Sequence, residues 1–173
     1  MSRISMAVVA MLLSASCVGT REPEVVVEVL GRGIIASAGT TMRPDPSSSV
    51  GAQRFDSRGL HVVEVTERIP LRPGLSYGIA FRVVKAPVQE VSLRAVLVSS
   101  AACRLKTTGE IVYHNDSTLK VRLGELRHLA ARIPASTREN HCVGDPEPGI
   151  DTFRLFYGEE KLVEARFQVY REH

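Results

Sequence analysis

Tyr77-Gly78-Ile79-Ala80-Phe81-Arg82-Val83-Val84, Val91-Ser92-Leu93-Arg94-Ala95-Val96-Leu97 and Val163-Glu164-Ala165-Arg166-Phe167-Gln168-Val169 decide the fold. In each stretch an apolar residue stands at every second position. Successive side chains of an extended chain point to opposite faces, so a period of two buries one face and leaves the other to water. The inward rows are then Tyr77, Ile79, Phe81 and Val83; Val91, Leu93, Ala95 and Leu97; and Val163, Ala165, Phe167 and Val169. Arg82, Arg94 and Arg166 fall on the solvent side, as do Arg122 and Arg154 in weaker rows of the same kind. They read either as a basic face for an acidic glycan or protein, or as charges that keep an exposed sheet soluble and discourage edge pairing.

The same grammar extends outward. Val25, Val27 and Val29 alternate with Val26, Glu28 and Leu30, and Gly31 and Gly33 interrupt before Ile34-Ile35. Strands are also expected over His61–Val65, near Glu110–His114, over Leu119–Leu123 and over Phe153–Tyr157, with Gly158-Glu159-Glu160 as a hairpin turn. Leu126–Arg132 reads as a helical turn. Gly39–Gly59, with Pro44-Asp45-Pro46-Ser47-Ser48-Ser49, and Thr137–Gly149 read as loops because proline, serine and glycine crowd there. About seven or eight short strands with frequent turn signals predict an all-β chain, an immunoglobulin-like antiparallel β-sandwich; a small closed barrel is the alternative.

The first residues carry an address. Arg3 precedes an apolar run from Met6 to Leu13, then Ser14-Ala15-Ser16 and Cys17. A basic start, a short apolar stretch and a small-residue cleavage site make an export signal. The run falls well short of the roughly 20 residues a spanning helix needs. Ser14-Ala15-Ser16-Cys17 resembles the lipobox of bacterial lipoproteins, with Leu13 one place earlier than the usual leucine. That resemblance implies lipidation of Cys17, and Val18 implies sorting to the outer membrane, facing the periplasm. Ordinary cleavage near Ser16 or Gly19, giving a soluble periplasmic or secreted protein, is the alternative. The expected organisation is a signal peptide over 1–16, a tether over 17–23 and the sandwich over 24–173.

Cysteine arithmetic agrees. Of Cys17, Cys103 and Cys142, a lipid takes the first and leaves a pair, which an oxidising compartment would join. A loop of about 40 residues closed by Cys103–Cys142 would be worth roughly 4 kcal/mol on the chain-entropy model. The formal charge of +3 falls to +2 without Arg3, too small to call for nucleic acid.

Three segments in order carry a family likeness: Val65–Pro70 followed by Pro73–Ile79; Ala86-Pro87 leading into Val91–Val96; and Glu147–Gly158 followed by Lys161–Val169. Together they resemble domain-of-unknown-function family 3859 of bacterial exported proteins, over most of residues 24 to 170. The resemblance implies a β-sandwich, implies no activity, and carries no functional residue across. This chain departs from the pattern in having no tryptophan.

Chemistry is sparse. The best metal set would be His141-Cys142 with Cys103 and His114, but zinc ligands usually come in close-spaced pairs, and no CxxC, HxH or HExxH occurs. His114-Asn115-Asp116 reads as turn grammar between two strands. Ser47–Ser49 and Ser99-Ser100 lack a GxSxG frame, and Gly31-Arg32-Gly33 lacks a following helix. The expectation is no catalytic residue, no metal and no cofactor: a non-enzymatic binding or structural module, its partner if it binds one a protein or glycan of the envelope, held to a membrane by its N-terminal lipid. The alternative is an enzyme or metal-dependent protein with a site where loops 39–59 and 137–149 converge.

Overall fold

The structure, a computed structural model, describes residues 24–37, 42–44, 53–55, 59–105, 111–133, 142–143 and 148–172. For residues 37, 42–44, 53–55, 100–105, 111–113 and 142–143 it describes the backbone alone. All regular structure among these residues is strand: β1 (Val26–Ser37), β2 (Met42–Pro44), β3 (Gln53–Phe55), β4 (Leu60–Val65), β5 (Arg68–Pro70), β6 (Ser76–Lys85), β7 (Glu90–Leu105), β8 (Ile111–Arg122), β9 (Arg127–Arg132), β10 (Cys142–Val143), β11 (Gly149–Tyr157) and β12 (Glu160–Tyr170).

One sheet has the order β4-β1-β6-β9. The other runs β10-β7-β11-β12-β5, with β8 on the far side of β7. Every pairing in them is antiparallel except β12 with β5. The expected rows fill the space between the sheets. Ile79, Phe81, Val83, Leu93, Val121, Phe153, Leu155 and Phe167 lose all contact with water. Each such side chain contributes about 1.5–3 kcal/mol on burial. Tyr77, Phe153 and Phe167 meet edge to face, with centroids 5.2–5.8 Å apart. That geometry sets the positive ring edge of one against the negative face of another.

Four readings change. Leu126–Arg132 is not a helical turn: β9 pairs with β6 from Phe81↔Arg127 to Ser76↔Arg132. Its apolar spacing suits either state, and the open edge of β6 decides. His114-Asn115-Asp116 is not a turn between strands: it lies inside β8, opposite Val98, Leu97 and Val96. Neither stretch read as loop is free of strand: Gly39–Gly59 contains a two-stranded ladder, β2 with β3, and Thr137–Gly149 contains β10, which pairs with β7. In β1 the row set by Val25 does not hold. Register shifts at Val26/Val27 and Val29/Gly31 leave Val29 41% exposed.

Gly33 and Gly78 face each other across β1 and β6. A Cβ on Gly78 would lie 2.1 Å from the Leu129 carbonyl oxygen, and one on Gly33 1.9 Å from that of Glu64. Only glycine lets the four backbones of this sheet approach so closely here.

Candidate functional site

Strands β1, β9 and β11 place the two long connections at one end of the sandwich. Ser37 ends β1 opposite Leu60, and Arg132 ends β9 opposite Ser76, itself the partner of Ile35. Gly149 opens β11 opposite Val169 near the close of β12. The connections spanning 38–59 and 134–148 therefore start or finish at the same end. β1 itself begins at the other end, where Val26 pairs with Lys85.

A polar clasp lies beneath the loop end. Asp151, 5% exposed, faces inward between the sheets. The Tyr77 hydroxyl donates to its Oδ2, and the Ser99 hydroxyl donates to its Oδ1 at 3.1 Å. β6 in one sheet is thereby tied to β11 and β7 in the other. Burial first, then the charge of Asp151 and the hydrogen bond to it, push the Tyr77 phenol well above its usual pKa. The hydroxyl thus stays a donor, and the carboxylate receives the hydrogen bonds that a buried charge requires. The sequence reading missed this cluster. Its one signal was an aspartate in an inward position of β11, flanked by Phe153 and Leu155 in the same row.

The arginine rows are in register with carboxylates. On the outer face of the larger sheet Arg94 meets Asp116 at 3.9 Å and Arg122 meets Glu90 at 3.6 Å. Glu164 holds Arg154, Lys161 and Arg166 at 3.0, 2.9 and 2.8 Å. Hydrogen bonds from Lys161, Arg166 and Arg154 lower its pKa to about 2. Arg94 also stacks over Phe156 at 4.7 Å. Arg82 stands on the smaller sheet with Glu28 at 2.7 Å. The five arginines do not gather as one basic face: four share a sheet, and all five have acidic neighbours.

His128, beside Ala80 on the smaller sheet, has a buried Nδ1 with no hydrogen-bond partner. Burial, and secondarily His61, lower its pKa, so the ring is neutral at neutral pH. Among the described residues no group of three or more histidine, cysteine or acidic side chains is placed to hold a metal. Cys17, Ser47–Ser49 and His141 lie outside the described residues, as do most of loops 39–59 and 137–149. The side chains of Cys103 and Cys142 are also outside them; their strands β7 and β10 are paired, with Cys142 opposite Leu105, two residues from Cys103, and Val143 opposite Arg104. Glu159 and Glu160 sit exposed at the hairpin tip, as expected for solvated charges.

No protein-family model and no curated protein matches the chain. Among solved structures, an immunoglobulin-like protein from Pseudomonas aeruginosa is similar with a TM-score of 0.51 at 14% identity. The match covers 79% of this chain and 96% of that one. A β-glucosidase from Listeria innocua matches at a TM-score of 0.35 and 11% identity, over 64% of this chain and 15% of the enzyme. One from Erythrobacter marinus matches at 0.35 and 12%, over 76% and 16%. Those two alignments are too loose to carry an argument. Two packed sheets, inward rows that alternate as the sequence requires, and a neighbour matched over nearly its whole length establish the fold: an immunoglobulin-like β-sandwich.

Proposed function

We propose that the chain is an envelope lipoprotein whose sandwich is a non-catalytic binding module. Residues 1–16 direct export, Cys17 carries the lipid, and residues 17–23 tether the domain to the outer membrane on its periplasmic side. A Cys103–Cys142 bridge, expected from the odd cysteine count and an oxidising compartment, closes the segment between them. The observation that carries the reading is polarity of placement. The chain enters β1 at one end, and the connections 38–59 and 134–148 meet the sandwich at the other. An anchor on Cys17 holds the first end toward the lipid and presents the loop end, braced by the clasp, to a protein or glycan. Immunoglobulin-type sandwiches carry their variable loops at such ends.

Intact mass spectrometry of protein purified from its native membrane tests this. Cleavage before Cys17, an added diacylglyceryl group and two hydrogens gained on reduction are expected. An unlipidated chain with free thiols would sink the reading and favour a soluble thiol- or metal-dependent protein. A photo-crosslinking residue at Ile150, exposed at the loop end, should trap the partner, and one at Glu159 should not.

A further inference from the structure

The end where β1 begins is apolar at its tip. Val84, Val88, Leu123 and Leu126 are 44%, 56%, 38% and 49% exposed. Val84 stands near the close of β6, and the other three come from two turns, 86–89 and 123–126, locked to each other and to β6 by backbone bonds. Leu123 N–H donates to Gln89 O at 2.9 Å, and Gly124 N–H donates to Val83 O at 2.8 Å. Val25 is buried at this same end, so the chain toward Cys17 leaves from here. The eight residues Val18–Val25 can span at most about 28 Å when extended. A lipid on Cys17 therefore holds this tip close to the bilayer. The charges around the two turns balance, Lys85, Arg122 and Arg127 against Glu24, Glu90 and Glu125, with Arg122–Glu90 at 3.6 Å and Arg127–Glu125 at 3.4 Å, and the β11–β12 hairpin at the same end adds Glu159, Glu160 and Lys161.

We infer that this apolar tip seats in the interfacial zone of the membrane that holds the lipid, so that the sandwich stands on its anchor end. The inference rests on the lipoprotein reading above. It assigns the tip to a lipid surface, where apolar area is withdrawn from water and no excess of positive charge draws the tip to anionic headgroups. Seating is then driven by apolar burial and does not require anionic lipid.

The chain contains no tryptophan, so one introduced indole reports alone. Full-length lipidated protein carrying Val88→Trp, Leu126→Trp or Ile150→Trp is placed in phosphatidylethanolamine–phosphatidylglycerol vesicles with or without brominated acyl chains. Blue-shifted emission that the bromolipid largely quenches is expected for V88W and L126W, with I150W unchanged. Adding Val88→Glu to L126W should abolish the quenching, which guards against tryptophan inserting by itself. If V88W and L126W are no more quenched than I150W while the intact mass shows lipid on Cys17, the docking is refuted and the anchor stands. Quenching of L126W that survives V88E refutes it too. A mass without lipid refutes the anchor, and the docking with it.

Discussion

Replacing Tyr77 by phenylalanine removes one oxygen from the middle of the core and leaves the packing of the ring with Phe153 and Phe167 in place. The Asp151 carboxylate, 5% exposed, then keeps only Ser99 among the two hydroxyls that serve it. A hydrogen bond to a buried charged group contributes about 1.5–3 kcal/mol. Tyr77→Phe should therefore lower stability by about 2–3 kcal/mol, and the urea midpoint by roughly 1 M at an m-value of about 2 kcal/mol/M. In an Asp151→Asn background the same change breaks a neutral bond and costs about 1 kcal/mol. The double-mutant cycle should return a coupling of about 1–2 kcal/mol. Alkaline pH gives a second readout. The folded-state phenol pKa lies above its unfolded value of about 10. The unfolded chain thus loses this proton first, and the contribution of Tyr77, complete below pH 10, is lost as pH rises toward the folded pKa. The wild type should lose about 1.4 kcal/mol per pH unit there relative to Tyr77→Phe. Equal effects of Tyr77→Phe in both backgrounds, within about 0.5 kcal/mol, and parallel alkaline curves would refute the clasp.

Gly78→Ala drives a Cβ to 2.1 Å from a backbone oxygen and should cost about 3 kcal/mol or prevent folding. Gly158→Ala, at φ 57° in open space, should cost only about 1–2 kcal/mol; calorimetry compares them. Phe153→Ala removes one ring of the buried trio and should cost about 3–5 kcal/mol in chemical denaturation. The Glu164 carboxyl, followed by NMR, should titrate near pH 2. Its lowered pKa adds stability above the ordinary glutamate range that is lost as pH falls toward 2. Arg154→Gln, Lys161→Gln and Arg166→Gln should each raise the midpoint.

The sequence by itself determined the layers and most of the core. A period of two is a local property, so the rows at Tyr77–Val83, Val91–Leu97 and Val163–Val169 announced which side of each strand would be dry before any partner was known. Wherever the answer depended on a partner, the sequence was silent or misleading. Asn115-Asp116 carries turn chemistry, yet the ladder with Val96–Val98 holds it extended. Leu126–Arg132 has spacing that either helix or strand accepts, and the free edge of β6 selects strand. The arginines were legible as outward but not as neutralised, because Glu90, Asp116 and Glu164 meet them through hydrogen-bond register between chain segments. Asp151 and Tyr77, 74 residues apart, meet only because two sheets stack face to face. Alternation says which way a side chain points; only tertiary pairing, summed over many nonlocal contacts, decides what it meets there.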